Sequence, residues 1–415
     1  MESARMPRHD HVRSIVAEAI ESHAKELQRL SLQIHAHPEL GFQEHFAHDI
    51  LTSYLEDQGF IVKRKACSLD TAWTAEYTPS STTPQPTTIA FLSEYDALPM
   101  GHACGHNLIA VVGIAAAIGL KAAMNQSRIQ NARLRVYGTP AEETVGGKIR
   151  MIDAGAFEDV DVALMGHGGN NDIVYCNALA MQTLRVEFFG KAAHAAAAPW
   201  EGVNALDAIV QAYSNISMLR QQILPSNRIH GIIRQGGSAP NVIPERVHVR
   251  ASAHAFLWRY YTKGEWYIRA QLRDDLNALK PKVLACFEAS AHATGCTHKV
   301  EEEPPFYDIK SNETLVNLYT KYAENEGVVF PPKEAQLSKL LGSTDMGNVT
   351  HVVPGIHPIF DIGCEAGIHT EDFREHAKTD QAHAAAFRCA RVLAMVGFAC
   401  MEPSILAAVK KDFAA

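Results

Sequence analysis

The residues best suited to chemistry fall in four short stretches of this 415-residue chain. In the first, Gly101-His102-Ala103-Cys104-Gly105-His106-Asn107, three soft or borderline donors lie within five residues, and a loop between a strand and a helix can turn them to one point. In the second, Thr139-Pro140-Ala141-Glu142-Glu143, adjacent carboxylates leave the backbone in different directions, so one can bind a cation while its neighbour handles protons. In the third, the apolar run from Asp161 ends at His167, between glycines that admit close approach of the backbone to a ligand. The fourth carries His369 in Gly363-Cys364-Glu365-Ala366-Gly367-Ile368-His369-Thr370, just after Ile359-Phe360. Each pattern alone has an ordinary reading: an inert buried cysteine beside hydrogen-bonded histidines, a Glu pair favoured at a helix start, histidines satisfied as polar groups. Four such loops, each following a strand, predict instead a metal cluster built from strand ends.

The elements that must position these loops follow from the hydrophobic pattern. An amphipathic helix spans about 11–33, a second helical pattern runs from His48 to Gln58, and strand-like runs follow at Phe60-Ile61-Val62, Thr88 to Ser93 and Arg133 to Gly138. An Ala/Ile/Leu-rich helix extends from Gly105 to about Met124. Alternation of this kind predicts an α/β unit with a mixed, largely parallel sheet and helices on both faces, in which ligands gather at the carboxyl ends of strands. Near residue 181 the texture changes to a strand at Leu184-Val186-Phe188, a helix carrying Leu206 to Leu219, strands at His230–Arg234 and Val242–Ala253, a long helix from about Gly264 to Ala291, and a strand at His298–Glu302. That order is a split β-α-β, ferredoxin-like α+β module inserted in the first unit. The expected domains are 1–180 and 304–415 together as the catalytic domain, with 181–303 as the inserted domain.

Composition bounds the class. The chain is 47% hydrophobic and 20% charged, an ordinary globular balance, and 38 basic against 46 acidic residues leave a net charge of −8 with no basic block, which disfavours nucleic-acid partners. Its 21 histidines point to a metal without locating it, and its 8 cysteines are scattered with no CxxC pair, so reduced thiols are expected. The charged N-terminus has no apolar leader, and no stretch reads as a membrane span, which makes a cytoplasmic enzyme the expectation.

The succession DALP (96–99), HACGH (102–106), PAEE (140–143), MGHG (165–168) and the late GIH (367–369) closely resembles the M20 metallopeptidase/amidohydrolase family, on the branch where a cysteine binds metal. The finer segments SEYDALP, ACGHNL, GKAAHAAAAPWEGVNALDA, SAPNVIPERV and GSTDMGNV are similar to its aminobenzoyl-glutamate hydrolase and Xaa-Arg or β-alanyl dipeptidase subgroup. The resemblance implies that Cys104, His106, Glu143, His167 and His369 bind two divalent ions, zinc or manganese, with Cys104 as the bridging thiolate and Glu142 as general acid/base. It implies that Asp96 stands behind the metal site, orienting His106, and that the inserted domain is a lid whose His194 reaches an active site across a homodimer interface to stabilise an oxyanion. Asn241 is a candidate for the same region, and Arg250 for a substrate carboxylate. His102 stays open between ligand, supporting residue and purely structural group. Asn107, where many relatives carry Asp, and the GSTDMG segment are read as marks of the subgroup.

The reaction expected of such residues is hydrolysis of an amide bond in a small dipeptide or N-acyl amino acid. Paired cations make hydroxide available near neutral pH, a carboxylate shuttles the proton to the leaving amine, and an imidazole steadies the oxyanion. An amide-forming or cyclising enzyme with the same site, and a non-catalytic metal-binding protein, are the alternatives. The spare carboxylate Glu142 speaks against the latter, because a closed structural site needs no base.

Overall fold

The computed structural model describes residues 9–79, 86–245, 262–339 and 341–415. The first stretch runs through α1 (His9–Ala36), α2 (His45–Asp57), β1 (Ile61–Arg64), β2 (Trp73–Tyr77), β3 (Thr87–Glu94), α3 (His106–Gln126), β4 (Ala132–Thr139), α4 (Gly147–Asp153), β5 (Val162–Leu164) and β6 (His167–Gly169). The middle holds β7 (Ala180–Phe189), α5 (Ala205–Met218), β8 (Arg228–Gln235), β9 (Thr262–Ala270), α6 (Arg273–Thr294) and β10 (Thr297–Glu302). The chain returns through α7 (Glu313–Asn325), α8 (Lys333–Ser338), α9 (Met346–Thr350), β11 (Gly355–Ile356), β12 (Ile359–Asp361), α10 (Glu371–His376), α11 (Asp380–Ala399) and α12 (Pro403–Ala414). Two compact units result, one joining Met1–Ala178 to Ile309–Ala415 and the other formed by Leu179–Asp308.

In the first unit the main sheet has the order β1-β2-β4-β3-β5-β11. The pairs β1–β2 and β2–β4 are antiparallel; β4, β3, β5 and β11 run parallel to one another. Side chains of β3 alternate between two cores. Ile89 and Phe91 pack with α1, α3 and α11 on one face, and Ala90 and Leu92 pack with Met151 of α4 and Met346 of α9 on the other. Helices therefore cover both faces, as a buried parallel sheet requires. Contrary to the expectation from composition, α3 and α11 are each long and apolar enough to cross a membrane. Their apolar windows are 89% and 83% buried inside the first unit, because a helix that is hydrophobic all round is equally the central helix of a large core. All eight cysteines are unpaired.

The second unit is a four-stranded antiparallel sheet of order β10-β7-β9-β8 with α5 and α6 packed on it, the strand order of a ferredoxin-like module. The expected helix from Gly264 is shorter than the sequence reading: residues 264–270 belong to β9 and α6 starts at Arg273. The reason is visible in the alternation of Trp266, Ile268 and Ala270, all buried, with Glu265, Tyr267 and Arg269. Of the expected strand Val242–Ala253, Val242 forms one isolated bridge with His194, and residues 246–253 lie outside the described residues.

Trp266 anchors this module. It is 1% exposed, meets Phe287 edge-on with ring centroids 5.0 Å apart, and covers Gly231 and Gly264, where any Cβ would collide with the indole. Trp266→Ala is expected to destabilise the second unit by about 3–5 kcal/mol, measured by urea unfolding followed through circular dichroism.

Candidate metal centre

Because β4, β3 and β5 are adjacent and parallel, their carboxyl ends share one edge of the sheet. From β3 the chain passes Glu94 and Asp96 into the Gly101–Gly105 loop and the first turn of α3, delivering Cys104 and His106. Gly105 has φ +77, a left-handed conformation that lets the chain turn sharply between these two residues. From β4 comes Pro140-Ala141-Glu142-Glu143, and β5 leads into His167 at the start of β6. β12 pairs in parallel with β6, and the loop after it carries His369, whose backbone N–H donates to the Ala103 carbonyl at 2.8 Å.

Among the described residues four groups of three donors emerge; two share Cys104, and a third joins His106 to Glu142 and Glu143. Cys104, His106 and His167 have ligand atoms within 4.8 Å of one another, and so have Cys104, Glu143 and His369. Cys104 Sγ is 3.5 Å from His167 Nε2, and Glu143 Oε1 is 3.3 Å from His369 Nε2. The rings are oriented to offer lone pairs. His106 Nδ1 faces the Asp96 carbonyl at 2.9 Å and Asp96 Oδ1 at 3.1 Å, both acceptors, so Nδ1 carries the proton and Nε2 is left as a donor atom. His167 Nδ1 likewise donates to the Gly168 carbonyl at 2.6 Å. His106 Nε2 is buried with no hydrogen-bond partner, and Glu143 Oε1 has the His369 ring beside it, so a bound cation would satisfy both atoms. These residues fit a two-cation centre.

Asp96 ties the loops together, since its Oδ1 meets His106 and its Oδ2 accepts the Glu143 backbone N–H at 2.9 Å. Glu142 is 7% exposed, with Oε2 4.0 Å from His106 Nε2. Burial, then the charges of Glu94 and Glu143, pushes its carboxyl well above the usual carboxylate range, the condition of a group that accepts and holds a proton. Burial and the Glu143 charge also push the Cys104 thiol up, so a thiolate there calls for a neighbouring cation.

His102 is 1% exposed and stands outside all these donor groups. Asn107 is structural: its buried amide donates to Ser31 Oγ and to the Ala377 carbonyl, both at 2.9 Å, joining α1 to the segment before α11. In the second unit His194 and Asn241 are both exposed, and the Ala195 N–H donates to the Asn241 carbonyl at 3.0 Å. His194 Nδ1 accepts from the N–H groups of Ala196 and Ala197, each at 3.2 Å. The proton of neutral His194 therefore resides on Nε2. Arg250 lies outside the described residues.

Sequence reasoning missed four groups around the centre. Lys148 is fully buried, with Nζ 2.5 Å from Glu94 Oε1 and 2.6 Å from Asp345 Oδ1. His357 stacks on His167 with centroids 5.5 Å apart. Glu94 and Asp345 lay in quoted motifs but carried no role; for Glu94 the available signal was a carboxylate on the last residue of a buried strand, and for Asp345, just before α9, there was none. For Lys148 there was none, because a lysine at a helix start reads as exposed.

A set of thiol, imidazole and carboxylate donors at strand ends, with a buried carboxylate beside it, fits a metal-dependent hydrolase. Residues 86–394 match Peptidase family M20/M25/M40. The chain is 44% identical over 406 residues to the Xaa-Arg dipeptidase of Mus musculus and 40% identical over 410 residues to that of Homo sapiens, in each case across 96% of this chain and 91% of the relative. A dinuclear metal binding peptidase of the M20 family from Bacillus subtilis shares the fold, with a TM-score of 0.64 at 20% identity over 91% of this chain and 98% of that one. The chain belongs to the M20/M25/M40 peptidase family, in the subgroup of Xaa-Arg dipeptidases and p-aminobenzoyl-glutamate hydrolases. It is a hydrolase acting on amide C–N bonds.

Glu44 supports the Glu142-Glu143 loop from behind. It is fully buried, its Oε1 accepts the Ala141 N–H and its Oε2 the Thr71 hydroxyl, both at 2.8 Å. Ala141 needs that tether, because its φ of +59 is a conformation non-glycine residues rarely adopt. Burial, then the charge of Asp96, raises the Glu44 carboxyl to about 7. A folded-state pKa above the unfolded one means that folding takes up a proton, so this group's contribution is fully present at acid pH and is lost as pH rises through 7. Glu44→Gln is expected to flatten the stability profile between about pH 5 and pH 7 by on the order of 1–3 kcal/mol, measured by denaturant unfolding at a series of pH values.

Proposed function

We propose that this enzyme hydrolyses the amide bond of a small dipeptide or N-acyl amino acid, with Glu142 as general acid/base beside a centre of two divalent cations held by Cys104, His106, Glu143, His167 and His369. The observation that carries the reading is the pair of donor sets meeting at Cys104, with buried Glu142 alongside. Thiol and imidazole donors favour zinc, and the carboxylate admits manganese. Such cations supply an acidified water and a polarised carbonyl. Glu142 takes the proton from the attacking water and hands it to the leaving amine, which its buried, carboxylate-crowded setting suits. Asp96 holds the His106 ring and the Glu143 backbone in place throughout.

The mouse and human relatives, both Xaa-Arg dipeptidases, support dipeptides ending in arginine as the first substrates to test. His194 is the proposed oxyanion donor, since its Nδ1 is occupied and its Nε2–H is the remaining donor. Asn241, in the strand-bridge partner segment of His194, is proposed to line the same region. A homodimer through the second unit is supported by exposed Val210, Tyr213 and Met218 on α5 and by Ile232 and Ile233 on β8, which is an edge strand among the described residues.

Chelator-treated protein should lose hydrolysis of Xaa-Arg dipeptides and regain it with Zn²⁺ or Mn²⁺. Glu142→Gln should cost about 10²–10⁴-fold in kcat at unchanged metal content, read by elemental analysis and steady-state kinetics, and full activity in this variant would remove Glu142 from its role. For His194→Ala, a fall in kcat of about 10²-fold with both ions retained is expected.

A further inference from the structure

Glu94 closes β3 directly beneath the centre, and its two oxygens have opposite surroundings. Oε1 receives the Lys148 ammonium at 2.5 Å. Oε2 is buried without a hydrogen-bond partner, 3.5 Å from His106 Nε2, which has none either. His106 Nδ1 faces the Asp96 acceptors, so Nε2 is the ring atom that meets the Glu94 carboxylate. Buried polar atoms left without partners are costly, and a cation bound between these two would satisfy both.

The spacing suits a shared cation. Donors of one tetrahedral ion, each bound at about 2.0–2.3 Å, stand roughly 3.3–3.7 Å apart. The Glu94–His106 separation of 3.5 Å falls in that range, as does the 3.5 Å between Cys104 Sγ and His167 Nε2. Lys148 fixes the carboxylate in place. Its Nζ also meets Asp345 Oδ1 at 2.6 Å, and its backbone N–H donates to Asp345 Oδ2 at 2.9 Å. The start of α4 is in turn pressed against the Glu142-Glu143 loop, since a Cβ on Gly147 would lie 1.8 Å from the Pro140 carbonyl oxygen. Glu94, Glu142 and Asp345 also form an acidic group within 4.8 Å, but the Lys148 ammonium already bridges two of its three members.

We propose that Glu94 is a further metal-binding donor, supplying a carboxylate oxygen to the cation position that His106 faces, with Lys148 as the resident counter-charge that positions it. The inference rests on the two-cation reading of the site. Zinc binding to full-length wild-type protein and to Glu94→Gln, measured by competition with a chromophoric chelator, should show two ions on the wild type and an affinity about 10- to 100-fold weaker for one of them in the variant, the other unchanged. Anomalous diffraction from crystals of zinc-loaded wild-type protein supplies a test that no variant's folding can obscure. A Glu94 oxygen within about 2.3 Å of one zinc is expected. Two zinc ions bound with Glu94 detached, or a folded Glu94→Gln with unchanged affinity for both, overturns this proposal and leaves the two-cation reading standing. Wild-type protein that binds no zinc overturns both.

Discussion

The centre depends on the parallel register of β4, β3 and β5. Glu94 pairs with Thr139, so the last residue of β3 lies beside the last residue of β4, and the loops that follow both strands leave the same edge. β5 joins the other side of β3 in the same direction and passes His167 to that edge. Had β4 run antiparallel to β3, as β2 does to β4, Glu142 and Glu143 would emerge at the opposite end of the sheet. Asp96 converts this shared edge into a fixed geometry, with one oxygen on the His106 ring and the other on the Glu143 backbone.

Burying so many acids in one place has a cost that the fold meets with charge. Glu44, Glu94, Asp96, Glu142 and Asp345 are all buried, and the like charges press on one another. Lys148 is the answer on one side: burial works to raise the Glu94 carboxyl, but Lys148, then His106, hold it down at about 2. Burial, with Glu94 beyond it, lifts Asp345 to about 6 against the pull of the same lysine. On the other side the donor sets around Cys104 gather a thiol, imidazoles and carboxylates at one point, where bound cations would offset the acidic charge.

The second unit follows a separate logic. Its sheet is antiparallel, one face packs on α5 and α6, and the fully covered Trp266 fills the space left by Gly231 and Gly264. The exposed loop bearing His194 is organised locally, by two backbone N–H groups on one ring nitrogen and by the bridge to Val242. Such a loop can offer a protonated Nε2 with little rearrangement of its own.

Donor types and their spacing were legible in the sequence because strand-end loops keep ligands close along the chain: HACGH, PAEE, MGHG and GIH each announce themselves. The strand–helix alternation of the first unit was legible for the same reason, periodicity being a local property. The start of α6 was misread where a period of 2 across Trp266, Ile268 and Ala270 was taken for helix, and the central helices were apolar beyond what composition suggested. Glu44, Lys148 and Asp345 could not be ranked from sequence, because what gives them meaning is long-range. Lys148 meets Asp345 from 197 positions away, and Glu44 reaches Ala141 across 97. Sequence alone determined which residues can bind a cation or move a proton, since that is set by side-chain type and near neighbours. Which carboxylates are buried, which charge offsets them, and which lone pairs face one point were decided only by the tertiary structure, because burial and electrostatic pairing belong to segments that meet in space.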